Sequence, residues 1–255
     1  MLHHRMRNLI LCLVASGSII MAGCGGGDDL GRGTGETATT RTVAASPLEG
    51  LDGEQLLRRA TNSATSATSV RIAGAGTTDG EDLAFDLRLV RGVGAEGSFR
   101  DSRLTVDLVI VGADVYLRMD GDRHEEWLGP AFTERARSKV DGRYVKSTTA
   151  DTRLDGIREM GDLEGFIRTT LTPESTLSRI DGKVVAGVPT VGIRDEDARN
   201  RSVLSVSDDA RALPLRLEAD GTAESGRWTF TQWNAVGDIT APAADDVIDV
   251  SALDD

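Results

Sequence analysis

The stretch that decides the fold is LAFDLRLV at residues 83–90, where large apolar side chains alternate with small or polar ones. The same alternation returns in LTVDLVI at 104–110 and in VYLRM at 115–119. Gly and Asp residues between these segments, at 112–114 and 120–122, are typical of tight turns. A period of two over successive short segments predicts antiparallel strands with one buried face and one solvated face.

Helical spacing occurs at three places around these strands. Asp52 is a good cap for a helix over 52–67, and further helices are predicted over 131–140 and 163–171, the last stopped by Pro173. More strands are predicted over 143–146, 183–193, 203–206, 213–217, 227–233 and 247–250. Because a one-faced sheet needs an apolar cover, this pattern indicates an α+β fold in which helices pack on an antiparallel sheet.

The N-terminus carries the features of an export signal. Arg5 and Arg7 precede an apolar run at 9–21, which is shorter than the ~20 residues that a membrane-spanning helix needs. The run ends in Met21-Ala22-Gly23-Cys24, which resembles a bacterial lipobox with Met where the pattern prefers Leu. We therefore expect a signal peptide at 1–23 and acylation of the Cys24 thiol. An ordinary secreted protein with an incidental cysteine is the alternative.

The segment that follows Cys24 has the composition of a linker. Residues 24–47 are rich in Gly, Thr, Asp and Ala and contain no aromatic residue. A flexible chain of this length spans on the order of 25–30 Å. The sequence thus predicts a tether at 24–47 and a folded domain at 48–255, with the protein held by acyl chains at the outer face of the cytoplasmic membrane.

Charge and residue usage exclude several classes of function. The 255-residue chain has 29 Lys+Arg and 41 Asp+Glu, a formal net charge of -12 that is unsuited to nucleic acid. Removal of 1–23 takes away Arg5 and Arg7 and no acid, so the net charge becomes -14. His124 is then the single histidine, and an acylated Cys24 leaves no free thiol. These counts argue against Cys–His catalysis and against multi-histidine metal sites.

The remaining chemical signals are weak. His124 lies among the acids of 120–126, where the spacing of a calcium loop is missing, so this segment is interpreted as a solvated turn. No Gly-x-Ser-x-Gly motif occurs after residue 24. We predict no enzymatic activity, no metal and no cofactor. An exported hydrolase with paired carboxylates stays open as a minor alternative, since acids are abundant.

Several segments, taken in order, resemble a known family. They are Gly-x-x-Val-Tyr at 112–116, DGRYVK at 141–146, DGKVVAGVPTV at 181–191, SDDARALPLRL at 207–217 and a Trp-bearing strand at 228–233. This order resembles the actinobacterial LppX/LprG-type lipoproteins, which are related in fold to the lipoprotein carrier LolA. The resemblance implies a curved antiparallel sheet, a half-barrel, with helices packed into its concave face. It also implies that acyl chains of a lipid or glycolipid lie between sheet and helices.

The apolar side of the strands supplies the candidate lipid-binding residues, although plain core packing is the alternative for each. They are Leu87, Leu89, Leu108, Ile110, Leu117, Leu215 and Phe230. The predicted function is binding or carriage of a lipid or another hydrophobic ligand in the cell envelope. The alternative is an envelope interaction or signalling module without a ligand cavity, which would be marked by exposed aromatic residues such as Trp127 or Trp233.

Overall fold

A computed structural model describes residues 46–78, 80–121, 139–148, 155–173, 175–197, 200–221 and 224–249. The predicted signal peptide, Cys24, His124 and Trp127 lie outside the described residues, as does most of the predicted helix at 131–140.

Twelve strands and three α-helices make up the described part of the fold. The helices are α1 (Gly53–Ser66), α2 (Asp155–Met160) and α3 (Leu163–Thr170). The strands are β1 (Ser69–Thr78), β2 (Glu81–Val90), β3 (Gly94–Arg100), β4 (Leu104–Val111), β5 (Asp114–Gly121), β6 (Tyr144–Thr148), β7 (Leu177–Val185), β8 (Val188–Glu196), β9 (Asn200–Ser207), β10 (Pro214–Gly221), β11 (Glu224–Thr231) and β12 (Val247–Asp249).

All twelve strands belong to one open sheet, in the order β12-β6-β5-β4-β3-β2-β1-β11-β10-β9-β8-β7. Two meanders, β1–β6 and β7–β11, meet where β11 pairs with β1. Each neighbouring pair is antiparallel except β12 and β6, which are parallel. The predicted α+β class, a curved antiparallel sheet with helices on its concave face, is confirmed.

Helix α1 is fixed at both its cap and its packing face. Asp52 accepts a hydrogen bond from the Gln55 backbone at 2.8 Å, and the Gln55 side chain accepts one from the Asp52 backbone at 3.1 Å. Leu56, Ala60 and Ala64 are fully buried on the face that packs against β7, β8, β10 and α3. The predicted helix at 52–67 is therefore confirmed to within one residue at each end.

Strands β1 and β3 and helix α2 were not among the predicted elements. Glycines interrupt the apolar alternation of β1 at Gly74 and Gly76 and that of β3 at Gly97. A Cβ on Gly74 would lie 2.6 Å from Cδ1 of Trp228, so the tertiary structure requires glycine where the pattern needs a large side chain. The sequence pattern did not predict these strands because residues of the neighbouring strands occupy the volume that large apolar side chains at the glycine positions would fill.

A C-terminal segment, residues 232–246, crosses the polar face of the sheet from β11 to β12, and we call it the strap. The Asn234 amide donates to the Ser69 carbonyl at 2.9 Å where the strap begins. At its centre Ile239, 5% exposed, packs with Val109 and Tyr116 in a small second core. Arg143 donates to backbone carbonyls of the strap end and of β12 at 3.2 and 3.1 Å. The strap is thus pinned at three points.

Candidate ligand-binding face

The helix-covered face of the sheet is the candidate site, because it gathers most of the predicted lipid-binding residues. Six of them belong to one hydrophobic core and are at most 3% exposed: Leu87, Leu89, Leu108, Ile110, Leu117 and Phe230. They lie on strands β2, β4, β5 and β11, which are far apart in sequence but near one another in the sheet. Residues that the period of two predicted to face the same side therefore do share one buried face of the sheet.

The strand register arranges these residues in rows across the sheet. Phe230 lies opposite Ile72, which lies opposite Leu87 on the next strand. Gly97 then separates Leu87 from Leu108. Leu108 in turn pairs with Leu117, and a parallel row contains Leu89 and Ile110. The result is a continuous aliphatic floor from β11 to β5.

Leu215 does not join this floor. The register of β10 against β9 shifts between Pro214 and Arg216, which is a β-bulge that contains Leu215. The side chain is only partly buried, whereas Leu217, two residues further on, is 5% exposed within the main core. Because a bulge inserts an extra residue, it breaks the alternation on which the prediction for Leu215 rested.

An aromatic group at one end of the floor was missed from the sequence. Phe85 and Phe99 lie directly opposite each other on β2 and β3, with ring centroids 6.2 Å apart. Trp228 on β11 lies opposite Gly74 and is, like Phe85, only partly buried against the core. Phe85 belongs to the alternation at 83–90, so extending the site by two residues along that strand would have found it.

Glycines make room for Trp228. A Cβ on Gly74 would lie 2.5 Å from the Arg227 carbonyl oxygen as well as close to the indole. A Cβ on Gly226 would lie 2.9 Å from Cη2 of Trp228. The indole is therefore placed along the glycine-bearing end of β1 and β11, and larger residues there would displace it. The aromatic side chains at this end of the floor are only partly buried, whereas the residues in the middle of the floor are fully buried.

The opposite face of the sheet is polar and is held by ion pairs. Arg71 and Asp86 form a bidentate pair, with Nε to Oδ1 at 2.8 Å, and the hydrogen bond from Arg71 lowers the pKa of Asp86 below its ordinary value. Arg118 donates to Asp107 at 2.7 and 3.0 Å and lies over the Tyr144 ring at 4.7 Å. Burial raises the pKa of Tyr144.

Two grooves lie on this polar face. One, of about 730 Å³, runs beneath the strap over the ion pairs of Arg71 and Arg118. The other, of about 890 Å³, lies over β7–β10 and is lined by both acidic and basic residues, among them Arg194, Arg201 and Glu218. Because their cations lie among carboxylates, both grooves have mixed rather than single-sign charge.

The described residues contain no group of three or more His, Cys, Asp or Glu side chains that is arranged to hold a metal ion. Within the same part of the chain, no helix has the length and apolar character needed to span a membrane.

Comparison with known proteins gives matches among solved structures. The chain resembles two mycobacterial proteins. LprF from Mycobacterium bovis is 14% identical, with 75% of this chain and 97% of that chain covered and a TM-score of 0.49. Lipoprotein LppX from Mycobacterium tuberculosis is 15% identical, with 72% and 98% covered and a TM-score of 0.43. No family model matches the chain, and no curated protein does.

A third similar structure is an uncharacterized conserved protein from Thermus thermophilus, which is 10% identical and has a TM-score of 0.37, with 77% of this chain and 98% of that chain covered. The resemblance to LppX-type lipoproteins that the sequence motifs indicated is confirmed as a similarity.

Proposed function

We propose that this chain is an exported lipoprotein whose domain binds a lipid or another hydrophobic ligand in the cell envelope. In this proposal residues 1–23 are removed, Cys24 is acylated, and 24–47 tether the domain of 48–255 to the outer face of the cytoplasmic membrane. The role is binding or carriage rather than catalysis, and no cofactor is required.

The observation that carries the proposal is the partly buried aromatic end of the aliphatic floor. Helix α1 packs against β7, β8 and β10. The middle of the floor, across β1 to β5, is closed and shares its hydrophobic core with residues of α2 and α3. Phe85 and Trp228 at the end of the floor are only partly buried. Apolar surface that leads to a half-open aromatic end is the kind of lining that hydrophobic ligands require.

The character of the floor favours an acyl chain over a flat aromatic ligand. Its rows consist of Leu, Ile, Val and Ala with Phe230 at one end and a gap at Gly97, and they present no hydrogen-bonding side chain. Each methylene removed from water contributes about 0.8 kcal/mol, so a chain of several methylenes binds without any polar contact. The aromatic end would hold the last apolar part of the ligand.

Titration with a fluorescent fatty acid, cis-parinaric acid, tests ligand binding. The exported chain with Cys24→Ser should bind the probe with saturable enhancement of its fluorescence. Trp228→Ala should weaken binding roughly tenfold, since burying part of an aromatic side chain is worth about 1.5 kcal/mol. Leu215→Ala is the matched control and should leave affinity unchanged. Absence of saturable binding by the unsubstituted domain would contradict the proposal.

A separate measurement tests the anchor. Mass spectrometry of the N-terminal peptide from membrane-fractionated protein should show cleavage before Cys24 and a mass increment of attached acyl chains. Cys24→Ser should abolish the increment and release the protein from the membrane fraction. Cleavage at another position, or an unmodified Cys24, would refute the anchoring without bearing on ligand binding.

The alternative is an envelope interaction or signalling module without a ligand cavity. Its expected mark was a patch of exposed aromatic residues. Trp233 does not provide one, because its ring stacks on Phe230 with centroids 6.2 Å apart and its Nε1 donates to the Pro214 carbonyl at 2.9 Å. The polar grooves are the surfaces that such a module would use, and the fatty-acid titration separates the two functions.

A further inference from the structure

The turn between β7 and β8 is an apolar tip on an otherwise acidic protein. Six successive residues from Val184 to Pro189 carry no polar side chain. Val184 is 68% exposed, and Ala186, Gly187 and Pro189 are exposed as well. Val185 is buried and Val188 is half-buried, so the exposed apolar side chains of the tip are those of Val184, Ala186 and Pro189. An exposed apolar cluster costs solubility and is normally avoided unless a function requires it.

The conformation of the tip makes its composition more unusual. Ala186 and Gly187 have φ of 48° and 82°, as in the two-residue turns that favour Asn-Gly or Asp-Gly. Ala is disfavoured at a positive φ because its Cβ crowds the backbone, whereas Asn or Asp would be better tolerated there. The hairpin therefore keeps an apolar residue at a position where a polar one would stabilise the turn.

The tip lies beside the point where the chain from Cys24 enters the domain. Val184 pairs with Pro189, and the Pro189 carbonyl accepts a hydrogen bond from the Asp208 amide at 2.9 Å. The Asp208 carboxylate in turn accepts a hydrogen bond from the Ser46 hydroxyl. With neighbouring strands about 4.8 Å apart, Ser46 lies only about 10–15 Å from the tip. Leu48, 1% exposed in the main core, fixes this entry point.

A second exposed side chain marks the same end of the sheet. Among the described residues, Val93 and Val184 are the two exposed large hydrophobic side chains. Val93 lies in the β2–β3 turn, and the register places that turn at the sheet end that also holds the β7–β8 turn and the end of β9. Both side chains thus project from the end of the domain to which the tether is attached.

We propose that this end of the domain, led by the β7–β8 tip, contacts the lipid surface to which Cys24 anchors the protein. The inference rests on the proposed acylation of Cys24. About 22 residues separate Cys24 from the domain, and a flexible chain of this length has a root-mean-square end-to-end distance of about 26 Å, so the entry point of the domain stays near the bilayer. Because the anchor keeps the domain next to the membrane, the local concentration of lipid surface is high, and shallow insertion of one or two valine side chains is enough to maintain contact.

Site-specific fluorescence on the full acylated chain tests the contact. With Cys24 acylated the exported chain has no other thiol, so Val184→Cys and Ser102→Cys each offer one labelling position. Ser102 is exposed in the β3–β4 turn at the opposite end of the sheet and is the control. After labelling with NBD, the protein is reconstituted in vesicles of phosphatidylethanolamine and phosphatidylglycerol that contain headgroup-nitroxide lipid.

The contact predicts blue-shifted NBD emission at position 184 and quenching about twofold or more stronger than at position 102. A second label at Ala210→Cys, in the loop beside Asp208, should be quenched too, and Val184→Asp should remove most of that quenching without shifting the melting curve. Equal emission and quenching at 184 and 102 would overturn the contact.

Vesicle flotation separates this failure from a failure of the anchor. Protein that floats while positions 184 and 102 behave alike is anchored but does not dock, which overturns only the inference. Protein that does not float, with Cys24 itself taking up label, overturns both the anchor and the contact. Neither result bears on whether the domain binds a hydrophobic ligand.

Discussion

Replacing leucine by alanine at two positions distinguishes the aliphatic floor from the strand surface around it. Leu108 is 1% exposed at the middle of the sheet, between Gly97 and Leu117. The neighbouring backbone is held by ladders on both sides, so the site collapses little and Leu108→Ala should lower the free energy of unfolding by about 3–5 kcal/mol. Leu215 is partly buried at the β-bulge, and Leu215→Ala should cost about 1 kcal/mol or less.

Urea unfolding followed by circular dichroism measures both effects on the exported chain with Cys24→Ser. The slope of the unfolding free energy against urea concentration should be the same for both variants, so that the difference in stability shows only in the unfolding midpoints. Because the two substitutions remove the same atoms, the difference between their effects on the free energy of unfolding reflects only the surroundings of the two leucines. Equal losses at Leu108 and Leu215 would refute the assignment of one to the floor and the other to the bulge. A near-neutral Leu108→Ala would show that its side chain faces empty space instead of a packed core.

Three further perturbations follow from the structure. Ile239→Ala should free the strap at a local cost of about 2–4 kcal/mol, seen as faster amide exchange in the strap and β12 with β1 unchanged, and exposed Thr240→Ala should have no effect. Gly74→Ala should destabilise the domain by about 1–3 kcal/mol, because the new Cβ meets the backbone of β11, and an unchanged melting temperature would contradict that contact. Since the fold lowers the pKa of Asp86, the ion pair with Arg71 stabilises the folded state above the ordinary carboxyl pKa, and this stabilisation is lost as the pH falls through the pKa of the folded state. Both side chains are about two-fifths exposed, so Asp86→Asn should lower the free energy of unfolding by under about 1 kcal/mol at neutral pH and not at all in acid. Urea unfolding at both pH values measures the difference.

Much of the sheet was predictable because the alternation of residue types within each strand indicates which of its faces is buried. At 83–90 and 104–110 each residue that faces the core is large and apolar, so a period of two gives the strand, its buried face and four of the seven candidate residues; the strands at 115–119 and 227–233 add Leu117 and Phe230. The helix at 53–66 was predictable for the same reason, since its capping box and its buried stripe are both local in sequence.

The parts that could not be predicted depend on partners distant in the chain. Gly74 and Gly97 sit where a neighbouring strand needs the space, so the strands that contain them look like loops in sequence. The bulge at Leu215 depends on how β10 pairs with β9, and its one sign in the sequence is Pro214, which suits the start of a strand equally well. The strap was not predicted, although the strand that follows it, β12, was, because Ile239 is one apolar residue in a polar segment and its pocket comes from β4 and β5.

Native mass spectrometry of the exported chain, purified from cells without detergent exchange, tests the central claim most directly. If the aliphatic floor holds a hydrophobic ligand, the spectrum should contain a species heavier than the polypeptide by the mass of a lipid. An organic extract of the same sample should yield that molecule, and Trp228→Ala should reduce its occupancy while Leu215→Ala should not. A spectrum with the polypeptide mass alone, together with an extract that matches the blank, would contradict the account.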